Sequence, residues 1–403
     1  MLTRFKEFIE QQHLLPHGQE VLLAVSGGRD SVCLAHLMHA AGYHFAIAHC
    51  NFHLRPGDCD RDQQFTAELA ATLGVPFHNA DFATRDEAAA TGESVEEAAR
   101  RLRYDFFTRL CQRHGYPCVV TAHHADDSVE TFFLNLFRGT GIEGLHGIRP
   151  VSELRINNEK LIIVRPLLPF GRAAIDAYVE ANGLAYVEDS TNAELDARRN
   201  RIRLQLMPLL RELYPSVDVT MQGNIARLAD AGEVYRAYVD NLRARVIHKY
   251  DSRLSSLPVE ILAISLSDIR NLSPQRTLLF ELLRPYGFNA ATVDDILSAH
   301  GTGRLFYSQT HVAELHRGHL LIAPQTGLAA TQPLSHSATQ PPSHIIRPWR
   351  PGDRFHPKGM CGTRLVSDFL KDLHLSRIER QYVMVSVDAD GVIRSVIGLR
   401  DAE

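Results

Sequence analysis

The sequence has no apolar run of about 18 residues, the length a membrane-spanning helix needs, so we expect no membrane association. Its first residues, MLTRFKEFIEQQHLL, are charged and amphipathic and lack the apolar core of a secretory signal. Only six of the 403 residues are cysteines, and no two have C-x-x-C spacing, which gives little support for a zinc ribbon or an iron–sulfur cluster. Without a signal peptide, a disulfide framework is not expected either. These absences predict a cytoplasmic protein with reduced cysteines.

The chain also has little net charge, −4, from 43 basic and 47 acidic residues, so the average does not indicate nucleic-acid binding. The positive charge is nevertheless concentrated in two segments. Asp196–Arg203 holds four arginines and one aspartate, and Ser343–Arg380 holds eight basic and four acidic residues. Arginine suits bidentate phosphate contact, and interleaved Trp349 and Phe355 suit base stacking. Solvated basic faces are the alternative interpretation of both segments.

Short apolar runs alternate with helical patterns over about the first 190 residues. The runs Val21–Val25, Phe45–Cys50 and Cys118–Ala122 predict buried strands. Asp30–Ala41 is the first predicted helix between them, and Ser94 starts another through the capping box S-V-E-E. This alternation predicts an α/β fold, an open, doubly wound and mostly parallel sheet. Ligands of such sheets bind at the carboxyl ends of the strands.

The pattern predicts three domains, over residues 1–212, 213–328 and 329–403. The second is dominated by helical spacing, although RLFYSQTHVAELHRGHLLIAP near its end predicts short strands that turn at Gly318. A segment rich in Pro, Ser, Thr and Gln, residues 330–344, is typical of a linker or an exposed loop. The third is predicted to be a small α+β domain, with strands at Val383–Val387 and Val392–Ile397.

The segment SGGRDS lies directly between a predicted strand and a predicted helix. Its two glycines allow positive φ, and successive N–H groups at a helix N-terminus bind anions. It is neither a Walker A loop nor a G-x-G-x-x-G turn. We predict a phosphate cradle, against the alternative of a plain glycine turn, formed by Ser26, Gly27, Gly28, Arg29, Asp30 and Ser31.

A second polar cluster, TAHHADDSVET, begins at the end of a predicted strand and runs into a helix. Asp127 and Glu130 are three residues apart and share one helix face, which suits binding an ammonium group or a metal ion. His123 suits an acid, a base or a phosphate ligand. Two alternatives stay open: a His/Asp metal-hydrolase site, or an N-cap at Asp126 with a solvated Glu130.

SGGxDS resembles the signature of the PP-loop ATP pyrophosphatases. An ordered set of further motifs resembles the tRNA(Ile)-lysidine synthetase family and covers nearly all of residues 18–400. The motifs are HCNFHLR, TAHHADDSVET, RGTGIEGLHGI, RPLL, EDSTN, RNRIR and RPGDRFHPKGM.

The resemblance implies a PP-loop, Rossmann-like catalytic domain that uses ATP with Mg²⁺. Its substrates would be L-lysine and a tRNA(Ile) with a CAU anticodon. ATP would adenylate C2 of the wobble cytidine, the ε-amine of lysine would attack C2, and AMP would leave. The middle domain would position the tRNA, and the C-terminal domain would bind it.

The resemblance also assigns roles to residues. Ser26–Ser31 would bind ATP, with Asp30 placing ATP or its Mg²⁺, and Asp127 and Glu130 would bind lysine. His123 and Arg103 would lie near the reacting groups. Phosphates of ATP or tRNA would contact Arg199, Arg201 and Arg203, and the C-terminal tRNA contacts would be Arg350, Arg354 and Lys358.

Three other functions compete with the ligase. A tRNA thiolase would favour the cysteine pairs that this chain lacks, and a metal phosphohydrolase leaves SGGRDS unexplained. A non-catalytic tRNA-binding protein leaves the ATP loop without a use. The sequence does not fix the oligomeric state, and a dimer stays an open option.

Overall fold

The computed structural model describes residues 1–54, 58–187, 197–254, 257–325, 344–358 and 362–401. The predicted linker over residues 330–343, the EDSTN motif, Arg55, Asp196 and residues 359–360 lie outside the described residues. The chain divides into two compact units, Met1–Glu233 and Val234–Glu403.

The first unit has six strands and nine complete helices among the described residues. Its strands are β1 Val21–Ala24, β2 Phe45–Asn51, β3 Phe77–Asp81, β4 Val119–Val120, β5 Val151–Ile156 and β6 Glu159–Val164. Its helices are α1 Leu2–Gln11, α2 Arg29–Ala41, α3 Asp58–Leu73, α4 Thr84–Thr91, α5 Val95–His114, α6 Ala125–Arg138, α7 Arg172–Ala181, α8 Ala197–Arg201 and α9 Met207–Leu213. A π-helical turn over Ile202–Leu206 joins α8 to α9.

The strand order is β3-β2-β1-β4-β6-β5, parallel except for the β5–β6 hairpin. Alternation along β1 sends its side chains to the two faces. Leu23 packs into a core with residues of α1, α2 and α7, and Leu22 packs into a second core with residues of α5. The predicted doubly wound, mostly parallel sheet is therefore confirmed.

Local signals set several helix ends. Gly42 ends α2 in the left-handed conformation at φ 81°, which costs a residue without Cβ little. Ser94 begins α5 with the predicted capping box: its hydroxyl accepts the Glu97 N–H, and the Glu97 carboxylate accepts the Ser94 N–H. These caps fix one end each of α2 and α5, and core packing places the two helices against opposite faces of the sheet.

The second unit follows the long helix α10, Val217–Val246, in which the division between the units falls. Its strands are β7 Ile247–Lys249, β8 Leu262–Ser265, β9 Arg304–Tyr307, β10 His311–His316, β11 His319–Pro324, β12 His344–Pro348, β13 Arg354–Phe355, β14 Arg364–Leu365, β15 Met384–Asp388, β16 Ile393–Val396 and β17 Arg400–Asp401. Its helices are α11 Leu266–Asn271, α12 Gln275–Leu283, α13 Ala290–Ser298, α14 Val366–Asp372 and α15 Arg377–Arg380.

These strands form two sheets, β7-β8-β11-β10-β9 and β12-β15-β16-β13-β14 with β17 beside β16. The predicted strands around Gly318 are confirmed as β9 to β11, with Gly318 at φ 83°. The predicted terminal strands are confirmed as β15 and β16. The sequence pattern did not predict β7 and β8, which are three and four residues long and lie within a stretch of helical spacing.

The expectation that Phe355 provides a base-stacking surface is wrong. Phe355 is only 2% exposed and packs edge-on against Phe369 inside the core of this module. Trp349 is partly buried against the same core, and its indole N–H donates to the Arg380 carbonyl at 2.6 Å. Phe355 therefore stabilises the module, and base stacking by Trp349 stays a prediction.

Candidate active site at the carboxyl edge of the sheet

A cavity of about 790 Å³ opens at the carboxyl ends of β1, β2 and β4. The SGGRDS loop and the apolar side chains of Ala48, Phe52 and Phe107 contribute to its lining. His123 and Asp127 lie on its wall. The cavity thus combines a polar, anion-binding part with an apolar part at the edge where such sheets bind ligands.

The loop has the geometry of an anion cradle. Gly27 adopts φ 91°, and a Cβ there would meet the Thr66 hydroxyl at 3.4 Å. The Ser31 hydroxyl donates to the Gly28 carbonyl at 2.8 Å and accepts the Ser26 N–H at 3.3 Å. Gly28 supplies no side chain to cap α2, so the first N–H groups of this helix are left for a ligand.

Arg29 of this loop is held by other residues. Its guanidinium donates to the Asp176 carboxylate at 2.6 Å and to the Tyr186 hydroxyl at 2.9 Å, and it lies over the Tyr186 ring. This geometry fixes α7 and Tyr186 beside the loop. Phosphate binding by Arg29 stays a prediction.

Asp30 lies in a network that sequence reasoning missed. Both Asp30 oxygens accept hydrogen bonds from Arg172, at 2.5 and 3.0 Å, and Arg172 also contacts His124 Nε2 at 3.1 Å. The backbone N–H of Arg172 donates to Asp126 at 2.9 Å. His124 stood in the noted cluster, but no motif marked Arg172, which lies 142 residues from Asp30 in sequence.

The predicted acidic pair lies side by side on α6, as its spacing required. Arg203 donates from Nε to Glu130 Oε1 at 2.6 Å and from Nη2 to Glu130 Oε2 at 2.9 Å. The same Nη2 lies 3.3 Å from Asp127 Oδ1. Arg199 Nε lies 3.5 Å from Glu130 Oε2 and its Nη2 donates to Thr131. Two arginines of the predicted basic segment therefore contact this pair.

The pKa values of the two carboxyl groups are shifted in opposite directions. Burial raises the pKa of Glu130, which is only 2% exposed, despite its hydrogen bonds from Arg203. Burial also opposes ionisation of Asp127, but His124, His123 and Arg203 outweigh it and lower the pKa of that carboxyl. The interpretation of Glu130 as a solvated side chain is wrong.

His123 is held in its neutral form by its surroundings. Its Nδ1 forms a hydrogen bond with the Thr121 hydroxyl at 2.9 Å. Burial, aided by the positive charges of Arg165 and Arg199, lowers the pKa of His123 to about 4. The ring is therefore neutral at pH 7 and faces the cavity beside Asp127.

The other predicted site residues are exposed. Arg103 lines the cavity, and its guanidinium lies 5.2 Å from the centre of the Phe52 ring. Arg201 lies on α8 and is exposed. The remaining predicted contacts lie in the second unit, where their side chains are exposed, and they are Arg350, Arg354 and Lys358.

The metal-hydrolase alternative finds no support in the described part of the chain. No three His, Cys, Asp or Glu side chains converge there as metal ligands. His124 and Asp126 are instead tied to Arg172. No helix within the described ranges is both long enough and apolar enough to cross a membrane.

The fold and the site define an ATP-using PP-loop enzyme, and the PP-loop domain family matches residues 1–210. The TilS substrate binding domain matches residues 259–325. The tRNA(Ile)-lysidine synthase of Bacteroides thetaiotaomicron is 36% identical over 94% of this chain and 91% of its own length. That of Parabacteroides distasonis is 35% identical over 98% and 94%. The chain belongs to the tRNA(Ile)-lysidine synthase family, which confirms the resemblance carried by its motifs.

Proposed function

We propose that the chain joins L-lysine to C2 of the wobble cytidine of a tRNA(Ile) with a CAU anticodon, at the expense of ATP. The observation that carries this proposal is one cavity whose wall holds both a glycine loop for phosphates and Asp127, which shares Arg203 with the buried carboxylate of Glu130. The products are lysidine, AMP and pyrophosphate.

Two parts of the cavity lining suit the two parts of ATP. The N–H groups at the start of α2 and the hydroxyls of Ser26 and Ser31 suit the phosphates. The apolar side chains of Phe52 and Phe107 suit the adenine ring.

Asp30 fits a magnesium ion bound mainly through phosphate oxygens. Mg²⁺ commonly takes one or two carboxylates, and the Asp30 carboxylate lies on the cavity wall beside the phosphate loop. Arg172 holds this carboxylate in place. Mg²⁺ bound there would neutralise charge on the departing pyrophosphate.

The amine step uses the carboxylates and the neutral histidine. Asp127 and Glu130 hold the lysine ε-ammonium, and His123 accepts a proton from it. The nitrogen then forms a bond to C2 while the bond from C2 to the AMP oxygen breaks. Arg103 and Arg203, which line the same cavity, stabilise the negative charge on the leaving group.

The tRNA must present an unstacked cytidine to this cavity. Arg199 and Arg201 lie on α8, which leads into the π-helical turn at the cavity rim. We assign them to phosphates near the anticodon. The exposed cations of the second unit suit contacts to the tRNA backbone, because phosphate binding is electrostatic and independent of sequence; they are Arg350, Arg354 and Lys358.

One assay tests the proposed function. Purified protein is incubated with ATP, Mg²⁺, radiolabelled lysine and a CAU-anticodon tRNA(Ile) transcript, and label on the tRNA is measured. We expect ATP-dependent labelling, and none with a transcript whose wobble base is uridine. Folded protein that leaves the CAU transcript unlabelled would overturn the proposal.

A further inference from the structure

The position suited to the substrate ammonium is already taken by a cation of the chain itself. Arg203 makes two hydrogen bonds to Glu130, at 2.6 and 2.9 Å, and lies 3.3 Å from Asp127. The Glu130 side chain is 3% exposed. A fork of this geometry is the strongest pairing a carboxylate makes with a side chain.

A second cation cannot simply join this pair. Arg199 is already 3.5 Å from Glu130, so the two carboxylates face two guanidinium groups before any lysine enters. Another buried positive charge without a partner costs several kcal/mol. Lysine therefore binds the pair only when one guanidinium moves away.

Arg203 is placed to make this move. It lines the large cavity, and it also lines a second cavity of about 130 Å³ that contains Glu130 and His124. Asp127 faces the large cavity, so Arg203 stands between that cavity and the buried glutamate. Its backbone belongs to the π-helical turn Ile202–Leu206, a local irregularity that often marks functional positions.

We propose that Arg203 is a positioning residue that closes the amine site until a nucleotide is bound. Its guanidinium occupies the place of the lysine ammonium in the free enzyme. The negative phosphates of ATP draw it toward the large cavity, and the released carboxylates then accept the amine. This inference rests on the proposed function and adds an order to it, in which nucleotide precedes lysine.

The proposal requires that nucleotide and lysine bind cooperatively. If the nucleotide strengthens lysine binding by a given factor, lysine must strengthen nucleotide binding by the same factor. We expect about tenfold, the effect of one close charge pair of about 1.4 kcal/mol. Calorimetry measures both dissociation constants, with L-lysine and a non-hydrolysable ATP analogue as the probes.

Variants of Arg203 separate the gate from the rest of the site. Arg203→Met should bind lysine about tenfold more tightly than the wild type without nucleotide, and its affinity should no longer respond to the analogue. Arg203→Lys keeps the charge without the fork and should lie between the two. Arg109→Met, at an exposed arginine of α5, is the matched control and should behave as the wild type. Measurement at pH 8 favours the ionised form of Glu130, whose pKa burial raises.

Two results would overturn the gate. One is equal lysine affinity in the wild type with and without the analogue, and the other is weaker lysine binding by an Arg203→Met protein whose circular dichroism is that of the wild type. Failure of the proposed function looks different, since the wild type would then leave the CAU transcript unlabelled. If the CAU transcript is labelled but nucleotide and lysine bind without cooperativity, the gate is wrong and the proposed function stands.

Discussion

Glu130 and Glu314 are both almost fully buried carboxylates, at 2% and 1% exposure, but their partners differ in kind. Glu130, in the first unit, is paired with the side-chain guanidinium of Arg203. Glu314, in the second unit, accepts the backbone N–H groups of Arg377 and Ile378, both at 2.9 Å, at the start of α15.

Glu379 repeats the second arrangement. It is 1% exposed, accepts the Ser376 N–H and the Ser252 hydroxyl, both at 2.7 Å, and closes a capping box. A flexible side chain can leave a carboxylate to another cation, whereas a backbone N–H in a helix cannot. Burial alone therefore does not mark a functional carboxylate, and the kind of partner distinguishes a binding site from a structural joint.

The largest effect is expected when both carboxylates of the proposed amine site, Asp127 and Glu130, are removed. Asp127→Ala combined with Glu130→Ala should lower lysine transfer to tRNA about 10³-fold, because the amine loses its holding charges. Affinity for an ATP analogue should stay within about threefold, since the phosphate loop is intact. Calorimetry and the labelled-lysine assay measure the two quantities.

Glu159→Ala, on the exposed part of β6, is the control for that double variant. Loss of nucleotide binding together with lysine transfer would contradict the assignment. The carboxylates would then belong to the nucleotide or its metal ion.

The second prediction concerns Glu314, whose partners are backbone N–H groups fixed in a helix. Glu314→Ala leaves two N–H groups of α15 without an acceptor and should lower the free energy of unfolding of the second unit by about 2–4 kcal/mol. The single tryptophan, Trp349, lies in this unit, so its fluorescence during urea unfolding reports on it. Lysine affinity should not change.

Glu260→Ala, at an exposed glutamate of the same unit, is the matched control and should lower stability by less than about 0.5 kcal/mol. An equal loss in the two variants would show that the contacts of Glu314 to α15 do not stabilise the unit. A fall in the lysine affinity of the Glu314→Ala protein would also contradict the comparison, because Glu314 is assigned a structural role alone.

The sequence predicted the features that depend on neighbours along the chain. The parallel sheet, the SGGRDS loop and the capping box at Ser94 each follow from a local pattern of residue types. The shared face of Asp127 and Glu130 followed from helix geometry alone. Local patterns therefore suffice to predict the edge of the sheet at which the cavity lies.

Long-range pairing was not predictable in this way. Arg172 meets Asp30 across 142 residues, and Glu314 meets Ile378 across 64. Composition also gave the wrong environment for Phe355. A basic segment with aromatic residues has the same composition whether the aromatic ring is buried or exposed. The resemblance assigned Arg203 to a phosphate, but nothing in the sequence indicated its two hydrogen bonds to Glu130.

The third prediction concerns acid. The pKa of His123 is lowered to about 4, below its ordinary value of about 6.5, so the unfolded chain binds a proton that the folded chain excludes. Stability present above pH 6.5 is therefore lost as the pH falls toward 4. His123→Gln should remove about 1–2 kcal/mol of the loss between pH 6.5 and 5, measured by urea unfolding.

His316 is the comparison in the second unit, where burial also lowers the pKa. His316→Gln should reduce acid sensitivity of the Trp349 fluorescence transition, which reports on that unit. His123→Gln should instead act on the first unit, followed by circular dichroism. A first-unit transition with the same pH dependence in the wild type and in His123→Gln would mean that His123 takes up its proton without opposing the fold.

The smallest expected effect concerns Asp176, a carboxylate that pairs with a side chain, as Glu130 does, but is exposed to solvent. The side chains of Arg29 and Asp176 are 31% and 41% exposed, so their ion pair contributes only about 0.2–1 kcal/mol. Arg29→Met should therefore lower stability by no more than that amount. Arg101→Met, which removes a similarly exposed pair with Glu93, provides the matched control.

ATP affinity separates the two roles of Arg29. If Arg29 only fixes α7, its replacement should change ATP affinity by about two- to threefold, whereas loss of a direct phosphate contact should change it tenfold or more. The partner of an arginine thus indicates its role only where water is excluded from the pair. Water is excluded at Glu130, the partner of Arg203, and is not excluded at Asp176, the partner of Arg29.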